Sequence, residues 1–283
     1  MATSAALDRL PQPHRPRALT TGVILLAIIL TVSLAAPWIA PYSFEAMDAA
    51  ARMQPPSMQH WLGTDEFGRD VFSRVLYGGS SSILLGVCAT ALSFAIGVPL
   101  GLLAGYLRGW VDDAVMRMVD IVISVPPVML GLLILASTDP SLWKAALAVG
   151  IIYIPIMIRL ARGMTLSLTH EEFITAARAR GERLPWILLR EILPNALPPL
   201  IVEASLRVSF AILLGAVFSF LGLGTQPPSS DWGLMVAEAR PYLERAPWVA
   251  LAPGLAICLT VIAVNLTGEG LRQSLDTRGR HRS

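Results

Sequence analysis

The chain has 283 residues, of which 54% are hydrophobic and only 15% are charged. Soluble domains typically carry about 25% charged residues, so this composition excludes an ordinary soluble globular protein. The net charge of +2 says little by itself, and no nucleic-acid partner is predicted from it. Apolar runs of about 20 residues recur, each long enough to cross a bilayer core of about 30 Å. The sequence therefore predicts an all-α integral membrane protein.

The first apolar run covers residues 19–39 and follows an N-terminal tail, residues 1–18, that contains Arg, Pro and His. A cleavable signal peptide ending at A-P-W-I-A is the alternative interpretation. The run is longer than the apolar part of a usual signal, and further spans follow it. We therefore predict an uncleaved first transmembrane helix over 19–39. An extracytoplasmic segment, residues 40–82, follows and contains G-T-D-E-F-G-R-D-V-F-S-R.

Five more apolar runs predict a transmembrane core domain over residues 83–271, which brings the number of transmembrane helices to six. The runs cover residues 83–107, 114–136, 143–161, 197–222 and 248–271. A polar loop with a predicted short helix, G-T-Q-P-P-S-S-D-W-G-L-M-V-A-E-A-R-P-Y, separates the last two. Residues 272–283 form a C-terminal tail.

The distribution of Lys and Arg predicts the orientation of the six helices, because cytoplasmic loops are enriched in these residues. With the N-terminus in the cytoplasm, fifteen of the 22 Lys and Arg residues fall in inside segments and six in outside segments, while Arg207 lies within the fifth helix. Both termini are therefore predicted to be cytoplasmic. The loop of residues 163–196 is then cytoplasmic as well.

Two features within the predicted helices leave alternatives open. Asp120, Glu203 and Arg207 are ionisable groups at membrane depth, where such groups are costly and often functional. Glu203 and Arg207 are four residues apart and share a helix face, so they can pair. The three residues either line or gate a pathway, or they pair and reach towards the helix ends. Glycines at positions 97, 101 and 105 form a small-residue face that packs either within the subunit or between subunits.

Several classes of chemistry find no support in the sequence. The two cysteines lie inside apolar runs and the four histidines are scattered, so neither a metal site nor a disulfide is predicted. The only lysine is Lys144, and the phosphate-binding pattern G-x4-G-K-[ST] is absent. No cofactor-binding or catalytic residues are therefore predicted, and the chain is not expected to be an enzyme.

The segment Thr169 to Pro199 is polar and amphipathic although it lies between apolar runs. Thr169 and Glu172 have the spacing of a capping box, which predicts a helix start. Gly181 can end this helix as the residue after the cap, and Pro185 begins a second short helix that ends near Pro194. The segment is thus expected to place two short helices on the cytoplasmic face. They either dock with a protein partner or lie in the lipid interface without one.

The same segment carries a resemblance to a known family. Thr175-Ala176-Ala177, Gly181 and Leu193-Pro194 resemble the signature E-A-A-x3-G-x9-I-x-L-P of ABC importer permeases. Further blocks resemble the dipeptide, oligopeptide and nickel permease family, and the resemblance covers about residues 41–276. These blocks are G-T-D-E-F-G-R-D-V-F-S-R, I-L-P-N-A-L-P-P-L-I-V, S-F-L-G-L-G-T-Q-P-P and N-L-T-G-E-G-L-R-Q-S-L-D.

The resemblance implies the transmembrane domain of a type I ABC importer in a bacterial plasma (inner) membrane. It also implies a second homologous permease subunit, two ABC ATPase subunits that use ATP and Mg²⁺, and an extracytoplasmic solute-binding protein. The residues expected to couple the chain to an ATPase are Glu171, Glu172, Thr175, Ala176, Ala177, Arg178, Gly181, Leu193 and Pro194. Thr175 replaces the glutamate of the signature, so one contact of an acidic side chain with the ATPase is in doubt.

The resemblance leaves two further points as expectations. Asp65, Arg69, Asp70, Asp231 and Trp232 are expected either to contact the binding protein or to form a structural lid over the bundle. The expected cargo is a di- or oligopeptide or a related small solute, with nickel or another non-peptide solute as the alternative. A stand-alone ion-coupled transporter is a different class of function, which would call for more buried acidic residues in the bundle.

Overall fold

The computed structural model describes residues 17–137 and 139–279, and the regular structure of these residues is helical. Most of the predicted N-terminal tail and the end of the C-terminal tail lie outside them. The α-helices are α1 (Arg17–Leu34), α2 (Ala36–Ile39), α3 (Val71–Leu107), α4 (Gly109–Ser124), α5 (Pro127–Leu135), α6 (Leu142–Leu168), α7 (Glu172–Ala179), α8 (Leu184–Trp186), α9 (Leu193–Phe220), α10 (Trp232–Ala239) and α11 (Trp248–Gly279). Short 3-10 turns cover Ala49–Ala51 and Arg240–Tyr242, and a π-helical stretch covers Ile187–Ile192.

Four helical segments are long and apolar enough to cross a membrane: Val71–Leu107, Leu142–Leu168, Leu184–Phe220 and Trp248–Leu275. Helices α4 and α5 form a fifth candidate if they count as one span, although they meet at an angle of 89°. Pro126 and Pro127 stand at this break, where proline removes an amide donor and disfavours a helical residue before it. Helix α1 is apolar but shorter. The described residues thus contain four or five candidate spans, and the predicted six require α1 as well.

Helix α3 begins twelve residues before the predicted start at Ile83. Asp70 caps it, because its carboxylate accepts a hydrogen bond from the amide of Ser73 at 2.8 Å. The resulting 37-residue helix is about 55 Å long at 1.5 Å per residue. It therefore extends beyond the thickness of a bilayer core, and its first turns belong to a polar region outside the apolar part.

The glycine face of α3 packs against α6 of the same subunit. A Cβ atom at Gly97 would lie 2.5 Å from the Cβ of Met157, and one at Gly101 would lie 2.5 Å from the carbonyl oxygen of Ile158. A Cβ at Gly105 would lie 2.8 Å from Thr165. Of the two alternatives, packing within the subunit is therefore the observed one. Because the contacts advance together along both helices, α3 and α6 run parallel.

The outer helices α1 and α11 run antiparallel along the same bundle. Gly22 contacts Thr267, while Gly270, three residues further along α11, contacts Leu19. The start of α1 and the C-terminal half of α11 therefore lie at the same end of the protein.

Two polar parts lie at opposite ends of α3. Residues 41–70 and α10, which we call the lid, cover its N-terminal end, where Trp232 lies against Gly78. Helix α7 and the π-helical stretch, which we call the loop end, lie near its C-terminal half, where Ile174 and Leu102 belong to one apolar cluster. The apolar clusters of the bundle lie between the lid and the loop end.

Candidate functional site

Helix α7 follows α6 after a tight turn, and its start differs from the predicted one. Glu171 occupies the N-cap position, and no side chain caps the helix. Thr169 instead ends α6, where its hydroxyl donates to the carbonyl of Leu166 at 2.9 Å and accepts from Arg108 at 3.0 Å. The predicted capping box of Thr169 and Glu172 is therefore wrong, because the preceding helix already uses the threonine hydroxyl.

The end of α7 is the glycine turn that the sequence predicts. Gly181 has a φ of +76°, a conformation that L side chains rarely adopt. Its amide donates to the carbonyl of Arg178 at 3.0 Å, and the amide of Glu182 donates to the carbonyl of Ala177 at 3.2 Å. These two bonds form a Schellman motif. A Cβ at Gly181 would meet nothing within 4 Å, so backbone conformation rather than packing favours glycine here.

Helix α7 has one buried and one exposed face. Ile174 and Ala177 are fully buried in an apolar cluster that includes Val98 and Leu102 of α3. Other residues expected to couple the chain to an ATPase are exposed, namely Glu171, Glu172, Thr175, Ala176 and Arg178. The alanine pair is thus divided, because Ala176 faces outward whereas Ala177 anchors the helix to the bundle.

Polar contacts add to this apolar anchor. The Nε of Arg178 donates to the hydroxyl of Tyr106 at 3.1 Å, and its guanidinium lies 4.9 Å from the centre of that ring. Arg180 lies 3.3 Å from Glu191, which stands where the family signature has isoleucine, and 3.4 Å from Glu182. These contacts connect α7 to the end of α3 and to the π-helical stretch.

The second short helix predicted in the segment Thr169 to Pro199, from Pro185 to near Pro194, is not a separate helix. Pro185 lies in the first turn of α8, and the helix continues through Ile187–Ile192 and through Pro194 into α9. The amide of Leu193 donates to the carbonyl of Leu188, five residues earlier. Proline lacks an amide proton and crowds the carbonyl four residues before it, and the wider π turn relieves this crowding. Leu193 is therefore half-buried and Pro194 exposed within a continuous helix.

A buried ionic network lies in the lid, at the opposite end of the bundle. Asp65 accepts from the Nε of Arg69 at 2.6 Å and from Arg74 at 2.7 Å. Glu238 of α10 accepts from Arg74 at 2.8 Å and from Arg69 at 3.1 Å. The side chains of Asp65 and both arginines are 1% exposed. Ions buried to this extent need paired partners, so the network joins α10 to the start of α3.

Glu66 lies at the edge of this network. Its carboxylate is 3.6 Å from Arg69, and its Oε2 atom has no hydrogen-bond partner among the described residues. Burial raises the pKa of Glu66, because water solvates its carboxylate poorly at this position, and the nearby Asp65 and Glu238 carboxylates add to the shift. The neutral form of Glu66 is therefore favoured in the folded lid more than in an unfolded chain.

Asp70, Asp231 and Trp232 also make structural contacts in the lid. Asp70 caps α3, and Asp231 caps α10 by accepting from a backbone amide at 3.0 Å. Burial raises the pKa of Asp231. The indole of Trp232 donates to the carbonyl of Val75 at 2.9 Å, which attaches α10 to α3.

The residues expected to contact a binding protein are therefore internal in this conformation. Asp65, Arg69, Asp70, Asp231 and Trp232 are each at most 2% exposed. Their side chains do not form an outer contact surface, which corrects that expectation for the state observed. Their contacts instead fit the alternative expectation, in which these residues form a structural lid over the bundle.

The three ionisable residues within the predicted spans all lie in ion pairs. Asp120 of α4 accepts from Arg159 of α6 at 2.6 Å, and both side chains are exposed in the isolated subunit. Glu203 accepts from the Nε of Arg207 at 2.6 Å, which confirms the expected pairing on one helix face. A cavity of about 550 Å³ between α6, α9 and α11 has Glu203 in its wall.

Aromatic rings support the second pair. The guanidinium of Arg207 lies 5.3 Å from the ring centre of Phe210 and 5.8 Å from that of Tyr153. Tyr153 is 7% exposed and belongs to the apolar cluster between α3, α6 and α9. The rings therefore limit the positions that the guanidinium can take.

Sequence reasoning missed several partners of these groups. Arg159, Tyr153, Tyr106 and Glu238 carry no local signal, because their partners lie on other helices. Arg74 was also not predicted as a site residue. It is the last residue of the block G-T-D-E-F-G-R-D-V-F-S-R, so the family resemblance of this block is a signal that could have indicated it. Within the described ranges, His, Cys, Asp and Glu do not gather in groups of three or more that could hold a metal ion, and Cys88 and Cys258 are free thiols.

Two family models match the chain. The model described as "Binding-protein-dependent transport system inner membrane component" matches residues 97–281. The model described as "N-terminal TM domain of oligopeptide transport permease C" matches residues 14–56. The first match includes α7, the π-helical stretch, the ion pairs of Asp120 with Arg159 and of Glu203 with Arg207, and α10.

Curated relatives cover nearly the whole chain. A dipeptide transport system permease protein, DppC, of Alkalihalophilus pseudofirmus is 39% identical over 98% of this chain and 91% of its own length. A probable D,D-dipeptide transport system permease protein, DdpC, of Escherichia coli is 43% identical over 91% of this chain and 87% of its own length. A glutathione transport system permease protein, GsiD, of Escherichia coli is 43% identical over 91% of this chain and 86% of its own length.

A solved structure shares the fold. A chain from inward-facing conformations of the MetNI methionine ABC transporter aligns with a TM-score of 0.59 at 20% identity. The alignment covers 70% of this chain and 94% of that one. At this identity the likeness concerns the arrangement of the helices.

Proposed function

The chain belongs to the family of binding-protein-dependent transport system inner membrane components, and we propose that it forms the ATPase-coupled half of a peptide pathway. It is a multi-pass inner-membrane permease subunit of an ABC importer and not an enzyme.

Helix α7 is the proposed coupling helix, and its division into two faces is the observation that carries this assignment. Its inner face, Ile174 and Ala177, shares one buried cluster with α3, α6 and α9. Its outer face presents Thr175, Ala176 and acidic side chains. A protein that binds the outer face of α7 and moves it therefore moves the bundle as a rigid body. The reason is that packed cores change between discrete arrangements and do not deform continuously.

The energy is proposed to come from two ABC ATPase subunits that bind ATP and Mg²⁺. The chain itself lacks the phosphate-binding lysine pattern, since Lys144 is its only lysine. Closure of the ATPases would pull on α7 and favour one of two states of the bundle. The ATPases can shift the equilibrium between these two states only by the difference between their affinities for the two states.

A second homologous permease is proposed to complete the pathway, and a binding protein to deliver solute at the lid. Asp120, Glu203 and Arg207 are proposed to line this pathway. With α1 counted as the sixth span, both termini are proposed to lie in the cytoplasm. The antiparallel contact of α1 with α11 supports this proposal, because it brings the start of α1 and the C-terminal half of α11 to one end.

The proposed cargo is a di- or oligopeptide. The names of the similar proteins support this choice, because they refer to dipeptides, D,D-dipeptides and glutathione, all of which contain amide-linked amino acids. No contact in the described residues favours nickel. The cargo is tested by measuring which solute raises the melting temperature of the partner binding protein; stabilisation by a nickel chelate alone would contradict it.

Hydrogen exchange tests the coupling assignment. The complete importer and the permease pair without its ATPases are compared in nanodiscs, so that lipid surrounds α7 in both samples. We expect the amides of α7 to be protected only in the complete importer. Equal protection in both samples would favour the alternative, an interfacial helix without a protein partner.

A further inference from the structure

Arg108 joins α3 to α4 in a backbone conformation that side chains rarely adopt. It has φ +54° and ψ −166°, close to a region that is populated almost only by glycine. Gly109, the next residue, also has a positive φ of +57°, so the chain turns sharply between the two helices. A glycine at position 108 would adopt this conformation without steric cost. An arginine held there indicates that its side chain makes contacts that the turn alone does not need.

The Arg108 side chain reaches the corner between α6 and α7. Its guanidinium donates to the hydroxyl of Thr169 at 3.0 Å and lies 3.1 Å from Nε2 of His170. Arginine has only hydrogen-bond donors, so Nε2 accepts in the second contact. Thr169 is buried, and α7 begins at Glu172, two positions after His170. The base of α4 is therefore attached to the start of the proposed coupling helix.

Two ion pairs continue this attachment along α4. Arg162 of α6 binds Asp112 in a bidentate arrangement, with N–O distances of 2.5 and 2.6 Å. Arg159, about one turn earlier in α6, binds Asp120 at 2.6 Å. A bidentate pair adds geometric specificity, because two parallel hydrogen bonds fix the orientation of both groups. These polar links all join α4 to α6 or to the turn that follows it.

Apolar packing does little to fix the position of α4. Among residues 109–124, all of which the structure describes, only Val119 is buried. A cleft of about 360 Å³ lies between α3, α4 and α6, and its lining is apolar, with Val115, Met118 and Ile158 among its residues. Space therefore remains between α4 and the bundle. The polar links, rather than a close-packed contact, hold α4 in place.

We propose that Arg108 is a positioning residue that transmits movement of α7 to α4, while the pair of Asp112 and Arg162 keeps α4 attached to α6. This inference rests on the proposed role of α7 as the coupling helix. A pull on α7 displaces the turn before it, and the guanidinium carries this displacement to the first turn of α4. Asp120, which is proposed to line the pathway, lies twelve residues beyond Arg108, about 18 Å along the helix. The link thus connects the helix that faces the ATPase to a pathway residue.

Hydrogen exchange in the wild-type importer provides the first test. The complete importer in nanodiscs is compared without nucleotide and with a non-hydrolysable ATP analogue. We expect the exchange of both α7 and the first turns of α4 to change when the analogue binds. A change in α7 alone would overturn the proposal, because α4 would then not follow the coupling helix. The absence of any response in α7 would contradict the coupling helix itself, and the proposal with it.

Arg108→Gly separates transmission from stability, because it removes the side chain and relieves the backbone. We expect its melting temperature in detergent to stay close to that of the wild type. The number of solute molecules transported per ATP in proteoliposomes should fall about 5- to 10-fold, at the lower end of the coupling between distant sites in proteins. Arg108→Lys keeps the charge and a donor and should retain most of the coupling. Arg117→Gln is the matched control, since Arg117 is exposed on α4 and forms none of these links.

Wild-type coupling in Arg108→Gly would overturn the proposal. A melting temperature that falls in parallel with the coupling would indicate a structural role and would overturn it as well.

A charge exchange tests the pair of Asp112 and Arg162 separately. D112R places two arginines opposite each other and should lower the coupling, whereas D112R/R162D restores opposite charges and should recover most of it. Equal coupling in the two variants would contradict the role given to this pair.

Discussion

The lid and the loop end both carry many charges, but they are built in opposite ways. In the lid, Arg69 and Arg74 are buried with Asp65 and Glu238 as shared partners. At the loop end, Arg180 is 54% exposed, and apolar side chains rather than ions anchor α7. A sealed ionic network holds one arrangement of its elements, while an anchored helix with an open face can receive a partner. Burial, rather than the number of charges, separates these two roles.

The largest effect on stability is expected from a substitution that breaks the ionic network of the lid. Arg74→Ala leaves Asp65 and Glu238 buried with one partner fewer, which should lower the free energy of unfolding by about 3–5 kcal/mol. Arg180→Ala is the matched control at the loop end, where an exposed pair contributes about 0–1 kcal/mol. Thermal unfolding of both variants in detergent checks the difference. Equal losses in stability would remove the contrast between the two ends.

The second prediction concerns the glycine turn after α7. Gly181→Val forces a β-branched residue into the left-handed region, at a cost of about 1–2 kcal/mol. The added side chain meets open space, so the strain falls on the turn and on the position of α7. We expect fewer solute molecules to be transported per ATP in proteoliposomes. Gly181→Asn should be nearly normal, since asparagine tolerates this conformation; equal damage in both variants would count against the interpretation.

A smaller effect is expected where Arg178 meets Tyr106. Arg178→Ala removes a hydrogen bond and a cation–π contact at an exposed position, worth about 0.5–1 kcal/mol. The amides of α7 should then exchange faster in hydrogen-exchange mass spectrometry, while the lid is unchanged. Tyr106→Phe keeps the ring and should have the smaller effect of the two. Unchanged exchange in both variants would mean that the apolar anchor alone holds α7.

The smallest effect is a pH dependence in the lid. The folded pKa of Glu66 is raised above its ordinary value of 4.5, so the folded lid takes up a proton at a higher pH than the unfolded chain does. The contribution of Glu66 to stability therefore increases as the pH falls through the folded pKa, and it levels off below 4.5.

Glu66→Gln provides the matched comparison for this effect. The glutamine stays neutral, so melting temperatures of wild type and variant should converge as the pH falls from 8 towards the ordinary pKa of glutamate. Asp231 shifts in the same direction but is present in both proteins, so the comparison cancels its effect. A constant difference across the pH range would show that Glu66 does not titrate in this way.

Local patterns predicted much of this molecule. The apolar runs, the turn at Gly181 and the Glu203–Arg207 pair each depend on residues a few positions apart, and their geometry follows from helix spacing. Where a local pattern failed, a neighbouring element competed for the same group. Thr169 has the right spacing to cap α7, but its hydroxyl is already used at the end of α6. Pro194 was expected to end a helix, but a π-helical stretch accommodates it.

The sequence by itself determined the membrane class, the apolar core, the family and the segment that forms the loop end, because composition and short motifs are written along the chain. Only the tertiary structure decided which charges are buried. Glu238 meets Arg74 across 164 positions, and Arg159 meets Asp120 across 39, and no local signal specifies either contact. The tertiary structure also decided that the glycine face of α3 packs within the subunit and that the lid residues are buried. Burial depends on which helices pack together, and that is a property of the whole bundle.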